Sequence, residues 1–176
     1  MFGRRKPLAS AKRTVLLVED QTPVRVLLVT TLSRQGYHVL AAADGPDALL
    51  KAAEYEGPID LLLTDMVMPQ MSGSALCERL SKIRPEMRVL YTSGYAGRAT
   101  QLELGRQALS VSGVKGLEPD DCFLAKPFGV TDLVAKVTTL LNQPTPALVK
   151  RPALLATDTE PARPSFATLR QPPVNP

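Results

Sequence analysis

The sequence holds one histidine, His38, and only two cysteines, Cys77 and Cys122. A single imidazole removes most histidine-based triads and all multi-histidine metal centres. The two thiols stand far apart with no CxxC spacing, so neither a disulfide framework nor a zinc site has support. A reducing compartment suits such a chain. No apolar run approaches the length of a membrane span, and Met1 to Arg13 carries basic residues without the apolar stretch of a secretory signal. The expectation is a soluble, cytoplasmic protein with no membrane span.

Overall charge misleads until it is apportioned. The formal net charge is +4, but residues 1–13 carry five basic and no acidic residues, and 143–176 carry four basic and two acidic. That leaves 12 basic against 15 acidic residues, or −3, for 14–142. A basic bias confined to the flanks weakens the case for a nucleic-acid partner. Eight of the sixteen prolines fall in 143–176 without period, which argues against a packed core there. The chain therefore reads as a basic flexible tail over 1–12, one domain over 13–142 and a disordered Pro-rich tail over 143–176.

Within the domain, short apolar runs alternate with helical periodicity. Strands are expected at Val15–Val18, Val39–Ala42, Leu61–Thr64, Val89–Thr92 and Phe123–Ala125. A first helix, with Thr22-Pro23 as cap and first residue and Gly36 as stop, places Val24, Leu27, Leu28, Thr31 and Leu32 on one face. A second begins near Asp44-Gly45-Pro46 and buries Ala48, Leu49, Ala52 and Ala53. A third opens around Ser72, presents Leu76, Leu80 and Ile83, and stops before Pro85. The last presents Leu133, Val134, Val137, Leu140 and Leu141. Five strands alternating with helices predict a doubly wound parallel α/β sheet.

The strand ends carry the chemistry. Leu61-Leu62-Leu63-Thr64 runs onto Asp65, Val15-Leu16-Leu17-Val18 onto Glu19-Asp20, and Phe123-Leu124-Ala125 onto Lys126-Pro127. The carboxyl edge of a parallel sheet is where open α/β folds hold ligands. Carboxylates without histidine or thiolate suit a hard ion such as Mg²⁺. A carboxylate beside such an ion can attack phosphorus and form an aspartyl phosphate, with an ammonium neutralising the phosphoryl oxygens. Asp65 is the candidate nucleophile, Glu19 and Asp20 the candidate metal holders, and Lys126 the counter-charge. A single strand-end acid is commonly just a solvated cap; three acids and a lysine in this order are so in fewer than about one case in ten.

In combination, Glu19-Asp20, Asp65-x-x-x-Pro69-x-x-x-Gly73, Ser93-Gly94-Tyr95 and Lys126-Pro127-Phe128 resemble the receiver domain of two-component response regulators, over about residues 13–142. The wording Tyr-Thr-Ser-Gly-Tyr and Phe-Leu-Ala-Lys-Pro-Phe is most similar to receivers associated with hybrid histidine kinases. The resemblance implies a flavodoxin-like five-stranded sheet of order 2-1-3-4-5. It makes Asp65 the phospho-acceptor and Asp20 a direct Mg²⁺ ligand, with Glu19 acting partly through water and the Val67 backbone carbonyl completing the set. Either Thr92 or Ser93 could supply the hydroxyl that tracks the phosphoryl group, and the alignment of Ser93-Gly94 favours Ser93. Phe123 falls at the aromatic switch position, and Lys126-Pro127 at a cis peptide.

The resemblance implies a single-domain response regulator. It takes phosphate from a sensor histidine kinase or histidine phosphotransfer protein and signals to an unknown downstream protein by contact. It is not an enzyme beyond its own phosphorylation and slow dephosphorylation. No DNA-binding segment is expected after Leu141. The alternatives are a relay intermediate that hands phosphate onward, a pseudo-receiver that takes none, and a phosphatase with a strand-end aspartate. That last class wants a second acid two residues on, where this chain has Val67. One feature departs from the pattern: Ser93 to Lys126 is longer than expected by roughly ten residues, beyond ordinary loop scatter. Gly105, Gly113, Gly116 and Glu118-Pro119-Asp120-Asp121 point to an extended fourth helix or an added loop.

Overall fold

The structure, a computed structural model, describes residues 12–94, 97–112 and 118–143. The chain divides into two units, Met1–Pro146 and Ala147–Pro176, and every described residue lies in the first. The expected tails, apart from Lys12 and Gln143, lie outside the described residues, as do Tyr95, Gly113 and Gly116.

Five parallel strands form one sheet: β1 Thr14–Val18, β2 His38–Ala42, β3 Leu61–Asp65, β4 Arg88–Ser93 and β5 Phe123–Ala125. Their order is β2-β1-β3-β4-β5, in agreement with the expected topology. β1 and β4 are buried at every position, because helices cover both faces of a sheet of this topology. The register aligns Val18 with Thr64, Asp65 with Thr92, and Ser93 with Ala125, so β1, β3, β4 and β5 end together at one edge.

Helices α1 Thr22–Arg34, α2 Gly45–Glu54, α3 Gly73–Ile83 and α4 Arg98–Ser112 lie between successive strands, and α5 Val130–Asn142 follows β5. α1 begins one residue earlier than expected: Gln21 is the N-cap and makes no side-chain capping bond. Gly36, at φ +91°, ends that helix in the left-handed region that favours glycine. Its buried face is Leu28, Thr31 and Leu32, while Leu27 is 56% exposed, a correction to the expected stripe. α1 is apolar nearly all round, so spacing alone did not tell Leu27 from Leu28. Ala53 and Ile83 are likewise exposed rather than buried. Each sits at the C-terminal end of its helix, beyond the last turn that packs.

α2 and α3 are capped as their sequences suggest. Asp44 accepts from the Asp47 amide at 2.8 Å, and the Ser72 hydroxyl from the Ala75 amide at 3.2 Å. Replacing Ser72 by alanine leaves a helix-end donor without its partner and is expected to cost about 1 kcal/mol in urea unfolding. An unchanged midpoint would show that the cap contributes nothing.

Between Ser93 and Lys126 the described chain forms one long helix and a short turn. α4 runs for 15 residues, and a 3-10 turn, Pro119–Cys122, leads directly into β5. A Cβ on Gly105 of α4 would lie 2.1 Å from the Pro119 carbonyl oxygen, so helix and turn meet backbone to backbone. Asp121 accepts from the Glu118 amide at 3.0 Å. Lys136 of α5 donates to the Asp120 carbonyl at 2.7 Å and pairs with Asp121 at 3.5 Å.

Candidate functional site

Three strand ends converge on one ammonium. Lys126 comes directly after β5, and its Nζ lies 2.5 Å from Asp65 Oδ2 at the end of β3 and 3.1 Å from Glu19 Oε2 after β1. The Glu19 side chain is 1% exposed, Asp65 12% and Lys126 25%, so the group is sheltered while Asp65 still reaches solvent. Sheltering strengthens each attraction and raises the penalty on any charge left alone. Burial pushes the Glu19 carboxyl above its ordinary range, with Lys126 pulling it only partly back. For Lys126, burial works against the charge, but the hydrogen bonds to Asp65 and Glu19 outweigh it and hold the ammonium above its ordinary value.

The loop after β3 holds the Asp65 carboxylate. Asp65 Oδ1 accepts from the Val67 amide at 3.2 Å, and the Met66 amide donates to the Thr92 carbonyl at 2.9 Å. The Val67 side chain is 76% exposed. Gln70, just beyond Pro69, takes φ +66°, a left-handed conformation in a non-glycine residue of the kind that marks tightly turned functional loops. Gly73 opens α3 directly beneath: its amide donates to the Met66 carbonyl at 3.1 Å, and a Cβ there would lie 2.4 Å from the Asp65 carbonyl oxygen.

The remaining expected residues lie on β4, on β5 and just after β1. Ser93 is buried at the end of β4, and its carbonyl accepts from the Lys126 amide at 2.8 Å. Phe123 is 6% exposed and sits opposite Tyr91 across the β4–β5 pair. Lys126-Pro127 is cis. Asp20 stands apart: it is exposed, and it meets Arg25 through its backbone carbonyl. Among the described residues, no three acidic, histidine or cysteine side chains are already gathered around a metal position. The donors still fit a hard cation. Glu19 and Asp65 share one ammonium, leaving excess negative charge, and every candidate ligand atom is oxygen.

One residue near the site was not singled out from sequence. Arg25, in the first turns of α1, donates from Nη1 to the Glu19 carbonyl at 2.6 Å and to the Asp20 carbonyl at 3.3 Å, and from Nη2 to the Thr22 hydroxyl at 3.1 Å. Its signal in the sequence is a cation placed at a helix N-terminus, where the backbone dipole disfavours it. No described helix is long and apolar enough to cross a membrane.

Comparison with known proteins agrees with this geometry. Residues 15–138 match the model of the response regulator receiver domain. The response regulator receiver protein CpdR of Brucella abortus is 33% identical over 129 residues, covering 73% of this chain and 97% of that protein. The sensor kinase CckA of the same organism is 36% identical over 134 residues, covering 76% of this chain but only 13% of the kinase. A crystal structure of the receiver domain from a hybrid histidine kinase CckA superimposes with a TM-score of 0.56 at 32% identity, covering 73% of this chain and 98% of that one. Fold order, convergent strand ends and family match agree, and the chain belongs to the response regulator receiver family.

Proposed function

We propose that this chain accepts a phosphoryl group on Asp65 from a phospho-histidine donor, a sensor histidine kinase or a histidine phosphotransfer protein, and signals by protein contact from a receiver spanning 13–142. The observation that carries the reading is the Asp65 carboxylate at the edge of the sheet, 2.5 Å from a lysine shared with buried Glu19. In the transfer, an Asp65 oxygen forms a bond to phosphorus as the P–N bond breaks, and the electron pair leaves with the imidazole, which takes up a proton. Lys126 offsets charge on the phosphoryl oxygens, and the Val67 amide holds the carboxylate that attacks. Magnesium, typical of the family, would be held by Glu19, Asp20, Asp65 and the Val67 carbonyl, and when bound supplies further neutralisation of phosphoryl charge.

The output arises from the same residues. A phosphoryl group adds strong acceptor oxygens, and Ser93 and Lys126 are the donors that turn toward it. That movement biases a pre-existing equilibrium in the stretch from β4 to β5, with Phe123 as the side chain whose exposure changes. Moving such an equilibrium from 1:99 to 99:1 takes roughly 5.5 kcal/mol of differential interaction, within reach of a few charge-assisted hydrogen bonds.

The test is direct. Incubation with acetyl phosphate and Mg²⁺ is expected to add one phosphoryl group to the wild-type chain, read by intact mass, and none to Asp65→Asn. An added phosphoryl group that persists in the asparagine variant would overturn the assignment.

A further inference from the structure

Arg25 carries a charge in the wrong place for its helix. The N-terminal end of α1 has partial positive charge from its free amides, and a cation there is electrostatically unfavourable. α1 has no acidic residue in its first turn and no side-chain cap to offset this. Asp47 of α2 attracts its charge, but its hydrogen bonds all run upstream: to the Glu19 carbonyl at 2.6 Å, the Asp20 carbonyl at 3.3 Å and the Thr22 hydroxyl at 3.1 Å. Two of these are the peptide groups of the acids at the end of β1. The Glu19 amide is tied in turn to the Ala42 carbonyl at 3.2 Å, and Glu19 Oε1 accepts from the Gln21 amide at 3.3 Å. Asp20 is exposed, so the direction of its carboxylate depends on the backbone that Arg25 grips.

We propose that Arg25 is a positioning residue for the magnesium end of this pocket: its fork of N–H groups fixes the turn from Glu19 to Thr22, and with it the direction of both carboxylates. The planar guanidinium spans two carbonyls and a hydroxyl at once, which the compact ammonium of lysine does not reproduce. The inference rests on the phospho-acceptor reading for its purpose but not for its test. Groups behind metal ligands ordinarily set affinity by about 10–100-fold.

Charge and position make opposite predictions, which lets one experiment decide. If Arg25 acted only as a nearby cation, Arg25→Gln would remove a repulsion and tighten Mg²⁺ binding, and Arg25→Lys would leave it unchanged. Positioning requires the reverse: both variants bind Mg²⁺ about ten-fold more weakly, with lysine no better than glutamine because it keeps the repulsion and loses the fork. The measurement is an Mg²⁺ titration of the full chain, read from backbone amide shifts. In the metal-free protein, Arg25→Lys is also expected to shift the Asp20 and Gln21 amides, which are bonded to the gripped carbonyls, and to speed their hydrogen exchange.

Amides of Asp20 and Gln21 that stay in place in Arg25→Lys, or an affinity that rises in Arg25→Gln, overturn the proposal. Failure of the wild-type chain to take phosphate from acetyl phosphate strikes the acceptor reading instead, since neither readout here depends on it.

Discussion

Lys126→Met is expected to cost the fold about 3–5 kcal/mol near neutral pH, because it removes one partner from a sheltered group and leaves the others charged. Glu19 is the reason. Its side chain is 1% exposed and Lys126 is its cationic partner at 3.1 Å, so without the ammonium only the Gln21 amide opposes the burial that already raises its pKa. The loss should be read as a fall of ~2 M in the urea midpoint, given slopes of ~1–3 kcal/mol per molar for small proteins.

The loss should also depend on pH, with a definite sign. A carboxyl whose folded pKa lies above its unfolded value favours folding below about 4.5 and loses that contribution as pH rises through the folded value. Without Lys126 the Glu19 pKa rises further, so protonation relieves the variant more than the wild type and the gap narrows on acidification from pH 7. Lys126 itself, raised above 10.5, contributes fully below that pH and loses its contribution only above it, outside this window. A cost under about 1 kcal/mol, of the size of an exposed ion pair, or a gap that does not change with pH, would mean that Glu19 finds another partner.

Gly73→Ala is expected to displace Asp65, the proposed acceptor, from below. The added carbon would lie 2.4 Å from the Asp65 carbonyl oxygen and 3.1 Å from Thr64 Cγ2, and the nearer neighbour is backbone that cannot swing aside. Either α3 backs away or β3 gives at its last residue. Overpacking of this kind costs about 1–3 kcal/mol. Because a displacement of ~1 Å at a reacting group can cost ~100-fold in rate, phosphorylation should fall by at least about ten-fold even where the variant is fully folded. Gly94→Ala is the control: a Cβ there meets nothing within 4 Å. Equal phosphorylation rates in the two variants would show that the Gly73 contact does not set the position of Asp65.

The fold and the meeting of Glu19, Asp65 and Lys126 were legible because apolar strands betray themselves twice, by their continuous runs and by the polar residue that terminates each run. Leu61–Thr64 ending in Asp65 identifies both a buried strand and the edge of the sheet where the carboxylate meets Lys126. α4 was less readable. Gly105 meets the Pro119 backbone, Leu104 and Leu109 pack on the core while only partly buried, and among the described residues of the helix the fully buried hydrophobe is the small Ala108, so the apolar stripe is faint. Arginine hid for a different reason. Composition marks it as a solvent residue, yet Arg25 grips carbonyls beside the pocket. Arg88, 3% exposed at the start of β4, donates to the Gln143 carbonyl at 2.6 Å at the other end of the sheet. A long stem with a polar tip serves surface and interior equally, and one sequence does not say which.

The seam between Gly105 and Pro119 fixes how this receiver can flex. Side chains packed on side chains can slip by changing rotamer, but a peptide laid on a peptide has no such freedom. Helix and turn are thereby welded into a single lever, and the turn continues without a break into Phe123. A protein that grasps the outer surface of α4 is, mechanically, already holding the last strand.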